Sequence, residues 1–184
     1  MIVFALVCLP LIADSTSDPQ FTKDGELIRP TNYREWIYLT SGLGMSYGTR
    51  AASAENPPFD NVFVQPAAYR VFKETGQWPE RTMFVLEIRK SDSHSSINKA
   101  GHFQSDLVSI DAAVKDASRF QGKWAYFVFS KDGQIQDKAK PLASDSACNA
   151  CHSQHGAVDN TFVQFYPTLL EIARAKGTVK GGDH

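Results

Sequence analysis

The sequence is poor in cysteine, with three in 184 residues, which excludes the dense disulfide framework that staples small secreted scaffolds. It also lacks an excess of either charge. Lys and Arg number 19 and Asp and Glu 20, leaving a formal net charge of −1, and the two signs are interspersed rather than blocked. Nothing there attracts nucleic acid or an anionic membrane surface, so neither is expected as a partner. No internal repeat is found. Long apolar runs are missing as well: the one candidate, Met1 to Ala13, falls short of the roughly 20 residues a membrane-crossing helix needs. No stable membrane span is expected.

That apolar run has the length of a signal-peptide core, and it is read as an export signal. A buried N-terminal strand and a lipid-anchored Cys8 are the other readings, the second weakened because Ala5-Leu6-Val7 is a poor lipoprotein cleavage sequence. Removal of a leader leaves two cysteines, for which an oxidising compartment by itself suggests a disulfide.

What is present is enough for one sizeable core, so a single globular domain is expected. Its parts are a leader and linker over 1–20, the domain over 21–178 and a short tail over 179–184. Phe, with 12 copies, is the commonest aromatic, which suits a β-rich core or an apolar cofactor pocket equally.

Capping residues at Thr31-Asn32 predict a short helix to Leu39, and the Gly, Ser and Ala-rich stretch from Ser41 to Pro58 predicts a surface loop. Asn61 to Gln65 reads as a strand, and Pro66 opens a helix that Gly76 closes. Thr82 to Arg89 is the clearest strand. Its period of two puts Thr82, Phe84, Leu86 and Ile88 on one face, and Met83, Val85 and Glu87 on the other. One or two strands are expected over His102 to Ile110, at most a short helix over Ala112 to Ala117, a strand over Trp124 to Phe129 with a turn at Lys131-Asp132-Gly133, and a last helix over Thr168 to Lys176. Short strands with Gly and Pro punctuation and few helices predict an α+β domain built on a mainly antiparallel sheet.

The chemistry concentrates in Cys148-Asn149-Ala150-Cys151-His152. Two thiols two residues apart can add to the two vinyl groups of a haem, and the adjacent imidazole can then reach the iron. Cys148 and Cys151 become thioether anchors and His152 the metal ligand of one covalent haem c. With this composition a chance match is about one in a thousand.

A zinc site from Cys148, Cys151, His152 and His155 is the first rival, but structural zinc draws its second ligand pair from a distant segment. A redox dithiol needs a βαβ setting that this C-terminal cluster lacks, and a plain disulfide is strained at this spacing. For a sixth iron ligand Met45, Met83, His94, His102 and His155 are all open, and an open distal position is expected.

Asn32-Tyr33-Arg34-Glu35-Trp36, Ala113 to Asp116 with Arg119-Phe120, Trp124 to Phe127, Cys148 to His152, and Phe162, Phe165-Tyr166-Pro167 and Leu169 together resemble the cytochrome P-460 family. The match spans about residues 25 to 172, with the blocks in the family's order. The resemblance implies a periplasmic, mainly antiparallel fold, usually a homodimer, with one c-type haem and a five-coordinate iron. Its members include an enzyme that oxidises hydroxylamine and the cytochromes c′-beta, which bind nitric oxide and carbon monoxide.

In the enzyme a lysine is joined covalently to the haem, and the matching position here is Leu86. An arginine of the enzyme form has no counterpart either, since Asp60-Asn61 stands there. Both departures shift the expectation from hydroxylamine oxidation towards binding of a small neutral gas, with a redox partner cytochrome or simple electron transfer as further options. Phe63, Phe84, Leu86 and Phe103 are the expected distal wall, where apolar side chains disfavour charged ligands. His102 is a candidate hydrogen-bond donor to a bound ligand.

Overall fold

A computed structural model describes residues 17–46 and 55–181. The expected leader, Cys8, the middle of the Ser41 to Pro58 loop and the end of the tail lie outside the described residues.

In chain order the elements are β1 (Leu27–Ile28), β2 (Ile37–Leu43), β3 (Phe59–Val64), α1 (Pro66–Thr75), β4 (Met83–Asp92), β5 (Phe103–Lys115), β6 (Trp124–Val128), β7 (Ser130–Lys131), β8 (Gln134–Ile135), β9 (Lys138–Ala139), α2 (Ala147–His155) and α3 (Pro167–Ala175). Strands β2 to β6 form one antiparallel sheet in sequential order, interrupted only by α1 between β3 and β4. The fold is α+β with a mainly antiparallel sheet. Pro66 occupies the first turn of α1, where its missing N–H costs nothing. Gly76 ends the helix in the left-handed region at φ 72°, donating its N–H to the Phe72 carbonyl at 2.7 Å.

Period-two alternation divides the interior into two cores. Met83, Val85, Ile110, Ala112, Val114, Phe127 and Phe129 project to one face, where Tyr33, Trp36 and Phe63 complete a cluster. Phe84, Trp124 and Tyr126 project to the other, against Phe72 of α1, Trp78, Leu169 and Ala173 of α3 and Tyr166. The helices therefore share one face of the sheet with the site described below.

The first core also holds Glu87, whose side chain is 1% exposed. It accepts hydrogen bonds from the Tyr33 hydroxyl, Arg34, Arg89 Nε at 2.7 Å and Asn61 at 3.3 Å. Burial alone pushes its carboxyl pKa upward, but the hydrogen bonds of Tyr33 and Arg89 and the charges of Arg34 and Arg89 outweigh it and lower the value. Burial, then the hydrogen bond to Glu87, pushes the Tyr33 hydroxyl up to about 12.

Two expected helices differ, and β2 takes Ser41 to Leu43 from the expected surface loop. The helix expected over Thr31 to Leu39 shrinks to a single 3-10 turn at Tyr33–Glu35, and the chain enters β2 at Ile37. Ile37 and Tyr38 pair with Val64 and Phe63, and cross-strand packing overrides the capping signal. The short helix expected over Ala112 to Ala117 is strand as far as Lys115. Ala112 sits between Val85 and Phe127 on the flanking strands, and Ala113 between Phe84 and Tyr126. Small side chains there make room for large neighbours on both sides.

Candidate functional site

A cavity of about 530 Å³ lies between α2 and the helix-bearing face of the sheet, within the range of small-molecule and cofactor sites. Every strand of the main sheet contributes: Thr40 and Gly42 from β2, Asp60 and Val62 from β3, Phe84, Leu86 and Ile88 from β4, Asp111 and Ala113 from β5, Tyr126 and Val128 from β6. Cys148, Cys151 and His152 of α2 close it from the opposite side, with Phe162, Phe165 and Tyr166 beside them.

Helix α2 begins at Ser146, whose hydroxyl accepts from the Asn149 N–H, a normal N-cap. Cys148 and Cys151 are three residues apart, hence neighbours on one helix face, and both thiols are free. His152 follows directly, and its ring lies between those of Tyr126 and Phe162, with centroids 4.4 and 4.3 Å away. Its Nδ1 is 2.8 Å from the Asn160 carbonyl oxygen. A proton on Nδ1 makes that bond and leaves the Nε2 lone pair for a metal. Burial lowers the His152 pKa, against the opposing effect of the Asn160 carbonyl, which favours the neutral, ligating imidazole.

Two acids face this otherwise apolar space. Burial, and after it the charge of Asp111, raises the pKa of Asp60; burial also raises that of Asp111, partly offset by a hydrogen bond from Ser109 Oγ at 2.7 Å. Burial, then the charges of Asp111 and Cys151, raises the Cys148 thiol.

The structure gathers Cys148, Cys151, His152, Phe84 and Leu86 around one cavity, and it corrects two other expectations. Phe63 lies on the opposite face: it pairs with Val85, and its ring packs 5.5 Å from Tyr33 and 5.6 Å from Tyr38. Its neighbour Val62 takes the cavity position, because Val62 pairs with Leu86. Phe103 is 37% exposed and pairs with Asp92 at the far end of the β4–β5 hairpin.

Among the proposed sixth ligands, Met83 is buried in the first core. His94 and His155 are exposed. His102 is exposed too, bonded to the Glu55 carbonyl oxygen. Met45 lines the cavity, but at its β2 edge, where a Cβ on Gly42 would come within 2.5 Å of the Met45 sulfur.

Residues missed by sequence reasoning are Asp111, Tyr126, Phe162 and Asn160. Asp111 becomes a cavity residue only if β5 runs unbroken past it. The role of Asn160 depends on a backbone carbonyl, which no side-chain pattern encodes.

The donor set fits a haem: two free thiols on one face of a helix, an adjacent imidazole with one nitrogen engaged, and a mostly apolar wall opposite. Among the described residues no group of three or more His, Cys, Asp and Glu side chains is arranged to hold a bare metal ion. The site is thus that of a haem protein on an antiparallel sheet. The cytochrome P460 family model matches residues 30–163, and the chain belongs to that family, which implies a haem cofactor with its iron. Comparison with curated proteins gives no match. Among the described residues no helix is long and apolar enough to cross a membrane.

Proposed function

We propose that this is an exported, periplasmic c-type cytochrome whose single haem is attached through Cys148 and Cys151, and which binds a small neutral ligand such as nitric oxide or carbon monoxide. His152 serves as the proximal ligand. When bound, the haem supplies an iron with an open coordination position. The observation that carries the reading is that the three motif residues face Phe84, Leu86, Val62 and Ile88 across one cavity. A wall of that kind excludes water and disfavours anions. Leu86, at the position of the enzyme form's cross-linking lysine, supports ligand binding over hydroxylamine turnover.

Placement of the side chains also weighs against a methionine-capped electron carrier. Met45 packs over Gly42 of β2, whereas His152 packs on Tyr126 of β6. Those strands stand at opposite edges of the sheet.

A second reading, oxidation of hydroxylamine or another small nitrogen compound, has one observation in its favour. Asp60 and Asp111 line the same cavity with a raised affinity for protons and could exchange protons with a nitrogen substrate. A homodimer belongs to the proposal through the family resemblance, and a redox partner cytochrome is a further option within it.

The test is intact mass and optical spectroscopy of protein made with haem-maturation machinery. The expected result is one haem per chain, a ferrous spectrum that shifts with carbon monoxide, and no hydroxylamine turnover with an electron acceptor. Bare polypeptide overturns the cofactor assignment. A loaded protein that ignores carbon monoxide overturns the ligand assignment, and brisk hydroxylamine oxidation selects the second reading.

A further inference from the structure

The carbonyl that orients His152 belongs to an unusual turn. Val158 and Thr161 pair across it, and the two residues between them, Asp159 and Asn160, have φ of 47° and 59°. Two consecutive left-handed residues are the signature of a tight hairpin turn of the mirror-image type, which Asp and Asn tolerate better than other side chains do.

Several contacts pin this turn to the rest of the fold, and the Tyr126 hydroxyl donates to the Asn160 carbonyl oxygen at 3.5 Å. Lys115 Nζ, at the end of β5, donates to Asp159 Oδ2 at 2.5 Å and to the Trp78 carbonyl at 2.7 Å. The Lys115 and Asp159 side chains are only 12% and 20% exposed, so solvent screens the pair weakly. Trp78 Nε1 donates to Thr161 Oγ1 at 2.9 Å, and that hydroxyl donates to the Val158 carbonyl at 2.6 Å. On the other side Gly156 packs so closely that a Cβ would lie 2.6 Å from the Asn160 carbonyl carbon.

The turn is therefore fixed from the sheet and from α2 at once, and what it presents to the imidazole is one carbonyl oxygen. The strength of that hydrogen bond governs how much electron density the imidazole lends a metal on its other nitrogen.

We infer that the Lys115–Asp159 pair is a positioning device that holds the Asn160 carbonyl on His152 Nδ1 and thereby sets the reduction potential and ligand affinity of the haem. The inference rests on the reading of His152 as the iron ligand. Neither residue touches the cavity; both act through the backbone of the turn.

The decisive variant is the charge-neutral double substitution Lys115→Met with Asp159→Asn, studied as the haem-loaded protein. Net charge is unchanged, so a shift does not report an altered overall charge, and the Raman band reads the imidazole bond itself. The iron–imidazole stretching band in the resonance Raman spectrum is expected to move to lower frequency. The ferrous form is expected to gain about three- to tenfold over the ferric at fixed potential, the worth of one hydrogen bond.

Should the double variant not accumulate, Asp159→Asn alone, which keeps a residue suited to the turn, is expected to lower the iron–imidazole stretching band, and that band is the readout because this variant changes net charge. Loaded variants with an unmoved band and potential overturn this inference and leave the haem site standing. Wild-type protein without covalent haem overturns the site and this inference together.

Discussion

Replacing Glu87 by Gln keeps the shape of the side chain and removes its charge, which tests the division of the molecule into two faces. In the wild type, Glu87 is 1% exposed and neutralises Arg89, at 24% exposure, and Arg34, at 54%. Breaking a buried ion pair costs about 3–5 kcal/mol. Arg34 is exposed enough to regain water, so the uncompensated charge is chiefly that of Arg89, and the expected loss is about 2–4 kcal/mol. For a domain of this size that is a fall in Tm of about 4–16 °C.

The sign with pH follows from the direction of the Glu87 shift. A carboxyl whose folded pKa is lowered from its ordinary value of 4.5 contributes stability that is full above that value and lost as pH falls through the folded one. Thermal unfolding of wild type and Glu87→Gln across pH 3 to 7 should show a gap that is widest at neutral pH and narrows in acid. The haem spectrum should not change, because the cavity is on the other face of the sheet. A gap below 1 °C at neutral pH, or one independent of pH, refutes the reasoning.

Gly156 sits at an ordinary φ of −67°, so its need is for space: a Cβ there meets three backbone atoms of His152, Asn160 and Thr161 at 2.6 to 2.7 Å. Gly156→Ala should cost about 1–3 kcal/mol, read as a lower denaturant midpoint, and should disturb the His152 hydrogen bond, read in the imidazole nitrogen NMR shifts. For Asp111 the folded pKa is raised, so its protonated form stabilises the fold in acid and that stability is lost as pH rises. Asp111→Asn should therefore unfold at a higher temperature than wild type near neutral pH, with the gap closing in acid; a variant less stable than wild type at both ends contradicts this.

Much of the arrangement was legible in the residues. The alternation of Phe84, Leu86 and Ile88 against Met83, Val85 and Glu87 predicts the faces they take, and Pro66 and Gly76 predict the limits of α1. The failures have a common cause. Tyr33 to Leu39 carries a capping signal at one end and β-formers at the other, and pairing with β3 decides between them. Ala112-Ala113 reads as helical by residue type, yet it lies in a central strand flanked by aromatics. That Phe63 faces away from the cavity is not legible, because the register of β3 against β4 cannot be read from either strand alone, and a shift of one residue exchanges the two sides.

The sequential order of the main sheet has a bearing on how the protein is made. All five strands precede Cys148 in the chain, and the strand order needs no later segment to complete it. Chains emerge and fold from the N-terminus first. The strands that form the apolar wall are thus all synthesised before Cys148 and Cys151, and the segments that cover the same face, Val158 to Ala173, come after them.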